Sequence, residues 1–198
     1  MRQKNIRGFT LPEVIITLGI AAIILTTAVP SVSNSIKDNR LAAQVNQIII
    51  DIHFARSEAV KRNLRVILCR STAPNASSPS CNVSTALENN YTWTGGYLIF
   101  ADGGPAPDGI YNAGTDILLR RGQPAVSDVK MRTNDNWNRN LEFNPNGSLH
   151  EGGVGIMSIC DNRGAEEGRQ IVVSPSGIPN LYSDNISTCK PASPPPPT

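Results

Sequence analysis

The stretch Gly8-Phe9-Thr10-Leu11-Pro12-Glu13, followed by the apolar run Leu11 to Val29, decides how the rest of the chain is read. Arg2, Lys4 and Arg7 stand in front of it. The run behind is close to the ~20 helical residues that cross a bilayer core. One carboxylate, Glu13, lies inside it. An acid at the centre of a membrane helix costs about 2.5–3.5 kcal/mol, and less near the interface, so such a residue has a function and a partner. A conventional secretory signal cut after Ala28 is a poor alternative, because Thr26-Thr27-Ala28 matches a small-x-small site badly. A plain single-span anchor leaves the GFTLPE block without a reason.

The block resembles the type IV prepilin leader: short, basic, ending in Gly, then Phe, with Glu five residues past the cut. The resemblance implies that a prepilin peptidase cleaves between Gly8 and Phe9 and methylates the new amino terminus at Phe9. It also implies that Glu13 meets the terminal amine of a neighbouring subunit during assembly. An α-amine titrates near ~7.7–8.0 and is largely cationic at neutral pH, so it can neutralise a carboxylate in lipid.

Pro12 sits in the first turn of the expected helix, where a missing N–H does no harm. Pro30 is expected to kink or locally open it. From Ser33 to Asn63 there is neither Pro nor Gly, and Leu41, Val45, Ile48, Ile52, Ala55 and Ala59 recur at helical spacing. Asp38, Gln44, Gln47, Asp51, Glu58 and Lys61 are read as lying mostly on the other faces. One helix from about Thr10 to Arg62 would stretch roughly 80 Å.

After Asn63 the period changes to that of strands. Leu64–Cys69, Gly96–Phe100, Ile117–Arg120, Ser127–Arg132, Asn140–Phe143, Gly155–Cys160, Gln170–Val173 and Ile178–Tyr182 are the expected ones. Residues 71–92 read as a disulfide-closed loop, and Asp102 to Asp116 as a Gly/Pro/Asp loop. Asn144-Pro145-Asn146-Gly147 is a turn signal, since Asn and Gly tolerate the left-handed region. No βαβ alternation occurs, so the fold class is α+β, a long helix with an antiparallel β-rich head; the prepilin resemblance implies the pilin-like fold, in which the helix packs against that head. The organisation that the resemblance implies is a leader at 1–8, a membrane and filament-core half-helix at 9–30, and an amphipathic half-helix at 31–63. A periplasmic head at 64–190 and an extended Pro-rich tail at 191–198 follow.

The resemblance extends beyond the leader. Phe54 to Asn63, then Val66 and Cys69, are similar to the helix-to-strand signature of the FimT/FimU/GspH group of minor pilins. Trp93, Gly96, Phe100, Asp102, Leu118-Leu119-Arg120, Phe143 to Gly147, Cys160-Asp161 and Gly168-Arg169 belong to the same pattern, which covers about residues 1–182. It implies an inner-membrane, single-pass prepilin with its head in the periplasm, later part of a surface pilus. The implied partners are other minor pilins, the major pilin, the prepilin peptidase and the inner-membrane assembly platform. The implied function is a type IV minor pilin that primes assembly at or near the tip and supports twitching, adhesion or DNA uptake. Two alternatives stay open: a DNA receptor in natural transformation and a type II secretion minor pseudopilin.

Hydrophobic residues make up 39% of 198, enough for a modest core, and charged residues only 17%. Residues 30–198 carry fifteen basic and fifteen acidic side chains, so no global basic field draws nucleic acid. Four cysteines suit an oxidising compartment and allow three pairings. The sequence-local pairs Cys69–Cys81 and Cys160–Cys189 are favoured, each contributing about 3 kcal/mol through loop closure.

No Ser, Cys or carboxylate spacing marks a nucleophile, and the lone histidines His53 and His150 suit structural or solvated roles, so no enzyme and no cofactor are expected. Asp102, Asp108 and Asp116 share one loop and are weak calcium candidates, because Ca²⁺ takes about six to eight oxygens and aspartates also favour turns. DNA-uptake members of the resembling group carry a C-terminal Gly-Arg-x-Arg, but here the place reads Gly177-Ile178-Pro179-Asn180. Arg169, Arg120 and Arg121 are the remaining DNA candidates, and a DNA-binding face would gather Arg120 and Arg121 with Lys130, Arg132 and Arg139; scattered basic residues usually form a solvated surface.

Overall fold

The computed structural model describes residues 9–82, 92–104, 108–126, 128–134, 137, 140–150, 153–182, 186 and 189, without the side chains of 27–31. The leader, Arg139 and the Pro-rich tail lie outside the described residues. The chain divides into two compact units, Met1–Asn39 and Arg40–Thr198. A single helix, α1 (Leu11–Arg62), contributes to both and is helical through Pro30.

In the first unit, Leu11, Ile15, Ile16, Leu18, Ile23, Ile24 and Leu25 are all more than half exposed. Among the described residues no helix is long and apolar enough to cross a membrane. The described side chains of the expected Leu11–Val29 span end at Thr26.

The second unit is built on two four-stranded antiparallel sheets. Strands β1 (Arg65–Arg70), β2 (Tyr97–Asp102), β3 (Ile117–Gly122) and β5 (Asn140–Phe143) form one, in the order β3-β2-β1-β5. Strands β4 (Lys130–Thr133), β6 (Gly155–Asp161), β7 (Gly164–Val173) and β8 (Pro179–Tyr182) form the other, in the order β4-β6-β7-β8. The stripe Leu41, Val45, Ile48, Ile52, Ala55 and Ala59 is buried in the main core with residues of both sheets, including Leu68, Ile99, Met157 and Ile171. Trp93 and Trp137 meet edge to face there, centroids 5.6 Å apart. Ala55 and Ala59 carry the smallest side chains of the stripe and admit close approach at the C-terminal end of α1.

Strands β1 and β2 are covered on both faces. Val66, Leu68, Tyr97, Ile99 and Ala101 join the main core, while Ile67, Cys69, Leu98 and Phe100 form a second cluster. Tyr111 and Cys81 from the two long loops cover that second face. Central strands therefore read as unbroken apolar runs, without alternation.

Two elements differ from the sequence reading. β7 begins at Gly164, six residues before Gln170, because Gly164 pairs with Asp161 and Arg169 with Ile159; the register shifts between these pairs, where Glu166 and Glu167 face solvent. A hairpin limb held by backbone bonds needs no apolar pattern. β4 begins at Lys130, and Asp128 just before it has φ 75°, a left-handed turn conformation that precludes an earlier strand start.

α1 ends by a local device. Asn63 adopts φ 52°, the left-handed conformation that closes many helices. The expected turn after β5 is also present: the N–H of Gly147 donates to Asn144 O at 2.8 Å, and Gly147 has φ 81°.

Candidate functional site

At the start of α1, Thr10-Leu11-Pro12-Glu13 has the spacing of a capping box. The Thr10 N–H points back at Glu13 Oε2 across 3.5 Å. Glu13 thus has a weak partner within its own first turn, where a carboxylate also complements the helix dipole. A neighbour's amine, the expected partner of Glu13, would have to displace this nearer donor. Phe9 is 81% exposed, and Gly8 lies outside the described residues.

Two carboxylates of α1, Asp51 and Glu58, are buried in the second unit. Asp51, read as lying off the apolar stripe, is instead fully buried. Gln44, Ile48, Asp51, Ala55 and Glu58 follow one another at steps of four and three along the core-facing side. That spacing was present in the sequence; polarity alone had assigned Asp51 outward. Its Oδ2 accepts from the Tyr97 hydroxyl at 2.5 Å and from Gln47 Nε2 at 3.1 Å. Its Oδ1 accepts from Arg120 Nη1. Arg120 also stacks over Phe54, 4.1 Å from the ring centroid. Burial first, and the bond to Asp51 second, push the Tyr97 phenol far up from its ordinary range, so it stays a neutral donor.

The basic candidates are not gathered. Arg120 and Arg121 are consecutive on β3 and project from opposite faces. Arg120 serves Asp51, while Arg121 Nη1 donates to Pro74 O at 3.1 Å and Ala76 O at 2.9 Å. Arg169 belongs to the other sheet and donates to the carbonyls of Glu167 and Gly168, both at 3.0 Å. Gly177, the start of the diverged Gly-Ile-Pro-Asn stretch, has φ 79°, and a Cβ there would stand 2.2 Å from Gly147 O. Arg56 Nε donates to that same carbonyl at 3.1 Å, tying α1 to the turn after β5.

The three aspartates serve the loop backbone. Asp102 Oδ2 takes the Gly109 N–H and an Arg65 guanidinium N–H, both at 3.3 Å. Asp108 Oδ1 takes the Ile110 N–H at 2.9 Å, and Asn112 Nδ2 reaches both its oxygens. The Ile110 N–H first, and the Asn112 side chain second, hold the Asp108 carboxyl below its ordinary value. Asp116 accepts from the N–H groups of Asn112 and Gly103. Among the described residues no group of His, Cys, Asp or Glu is arranged to hold a metal ion.

Arg65 links three strands. Besides Asp102 it reaches Glu142 Oε2 on β5 at 3.1 Å, and His150 Nε2 at 3.1 Å. The structure joins Cys69 to Cys81 and Cys160 to Cys189, with Cα–Cα separations of 5.6 and 6.0 Å. The first closes the loop over the second face of β1. The second fastens the chain near Ile186 against Gly168, where an added Cβ would meet Ile186 Cδ1 at 2.5 Å and Cys160 Sγ at 2.9 Å.

Comparison with known proteins is consistent with this architecture. No curated protein matches the sequence. Two crystal structures of the Pseudomonas aeruginosa PAO1 type IV minor pilin FimU share the fold. One has TM-score 0.57 and 20% identity, covering 77% of this chain and 97% of that one. The other has TM-score 0.54 and 20% identity, covering 75% and 99%. The prokaryotic N-terminal methylation motif matches residues 3–29, which marks an inner-membrane prepilin and implies prepilin-peptidase processing and assembly with other pilins. The model of the type II transport protein GspH matches residues 44–177. The chain therefore belongs to the GspH family and is a pilin or pseudopilin minor subunit, a structural protein and not an enzyme.

Proposed function

We propose that the chain is a minor pilin of a type IV pilus that primes assembly and sits at or near the filament tip. The observation that carries this reading is the first part of α1. It presents a row of exposed Leu, Ile and Val side chains, headed by a single carboxylate at Glu13. Such a surface is stable only in lipid or against other apolar helices.

In this reading residues 1–8 are removed after Gly8, and Phe9 becomes the methylated terminus. Residues 9–30 store the subunit in the inner membrane. Residues 31–63 and 64–190 carry the periplasmic head, and 191–198 form a tail. Glu13 leaves its capping role and sets axial register against a neighbour's amine, since a buried ionic contact specifies register better than it adds stability. The likeness to FimU supports the pilus assignment by fold alone.

A second reading, a minor pseudopilin of type II secretion, is favoured by the description of the matching family. The local partners of Arg120, Arg121 and Arg169 weigh against a DNA receptor.

A deletion strain scored for pili, twitching, DNA uptake and secretion separates these. Loss of pili and twitching is expected. Loss of secretion alone selects the pseudopilin, and loss of uptake with normal pili selects the DNA receptor. Complementation with Glu13→Ala should give a folded head that enters filaments poorly; wild-type pilus recovery from that strain would remove the assembly role.

A further inference from the structure

Beside Asp51 the surface opens into a groove of about 720 Å³ along α1, bounded by Arg120 of the edge strand β3. Its apolar lining is Ile50, Phe54 and Val60, and Ile50 and Val60 are each more than half exposed. Its polar lining includes His53, Arg56, Lys61 and Arg120, and no carboxylate lines it among the described residues.

Arg120 is prepared for contact in an unusual way. One nitrogen is bound by the fully buried Asp51, and the guanidinium plane rests on Phe54, yet 37% of the side chain remains exposed. The rotamer entropy that an arginine ordinarily loses on binding has already been lost in folding. Fixed Arg and aromatic groups at the centre of a patch are what make interface anchors strong. Arg56 is likewise held, by Gly147 O, while Lys61 is 75% exposed and pairs with Glu58 across 3.6 Å.

We propose that this groove docks a carboxylate-bearing, amphipathic polypeptide segment of another protein, with Arg120 as its principal contact. The charge sign selects an acidic partner, because an approaching cation would meet only like charge or imidazole. The apolar floor selects polypeptide over nucleic acid. A phosphate backbone gains little from Ile50 and Val60, and two of the cations are already partly neutralised by Asp51 and Glu58. A plain solvated face would not hold its arginine by a buried carboxylate. The proposal concerns this surface alone and does not depend on the filament reading above.

The test uses the full-length chain in neutral detergent micelles, with NMR detection of the Ile50 and Val60 methyls and the Arg120 side-chain N–H. The probes are a synthetic helical peptide with Leu and Glu on one face, its Lys-for-Glu counterpart, and a short DNA duplex. The Glu peptide is expected to shift all three signals saturably, and less so as salt rises, while the Lys peptide leaves them unmoved. The double substitution His53→Glu with Lys61→Glu touches neither Asp51 nor Tyr97. It removes the Lys61–Glu58 ion pair, whose lysine is exposed, so melting should fall only slightly, while the peptide should weaken at least about tenfold. Absence of a saturable shift, an equal response to the Lys peptide, unaltered affinity in the double variant, or tighter binding of the duplex would each overturn the proposal.

Discussion

Gly122 lies directly across the β2–β3 ladder from Tyr97, and a Cβ at Gly122 would stand 2.2 Å from the tyrosine ring. The ring lies over the bare glycine, and this seat lets the hydroxyl reach Asp51. Gly122→Ala should push the ring away and leave part of the buried carboxylate unsatisfied. The expected loss is about 2–4 kcal/mol, read as a lower urea midpoint with unchanged slope. An unshifted midpoint would mean the ring has room to spare.

Asp51 and Arg120 should be energetically coupled well beyond a surface pair. Removing either partner from a buried pair typically costs about 3–5 kcal/mol, with the lower end expected here because Arg120 reaches solvent. In a cycle of Asp51→Ala, Arg120→Ala and the double variant, coupling of about 1–3 kcal/mol is expected. The same cycle between Asp51 and Arg121, which projects from the other face of β3, should return nearly zero.

The pH profile should have two limbs with different origins. The Tyr97 phenol is raised in the folded state, so its contribution is whole below its unfolded value near ~10 and is lost as pH climbs above it. Tyr97→Phe should be less stable at neutral pH and lose less between about pH 9 and about pH 11. Glu58 is depressed, first by its bond to Arg62 and also by Lys61. Its contribution is present above the unfolded carboxylate range and is lost as pH falls. Glu58→Gln should be destabilised at neutral pH and converge on wild type towards about pH 3. Denaturant midpoints across pH would check both limbs; parallel curves for variant and parent would refute the assignments.

Asn63 offers a test of the helix end. A left-handed residue other than Gly, Asn or Asp costs about 1–2 kcal/mol. Asn63→Ala should therefore lower stability by about 1 kcal/mol, while Asn63→Gly should equal or exceed the parent. Equal melting temperatures for Ala and Gly would show that the cap does not limit stability.

The periodic features were legible because they are local. The basic leader and GFTLPE, the Leu41 to Ala59 stripe, the strands around Val66, Ile99 and Ile159, and the Asn144 to Gly147 turn are written within a few residues of themselves. A helix face or a turn is set by neighbours in sequence, so sequence suffices. The length of β7 was hidden because a hairpin limb whose register shifts between Gly164 and Arg169 carries no apolar period. The burial of Asp51 and the capture of Asp102 by Arg65 were decided by tertiary structure. Each depends on which strand lies opposite, and a charged side chain becomes buried only where distant residues supply its partners. The chain alone thus determined where helix and strands form; packing determined which of its charges became part of the core and which remained available to another molecule.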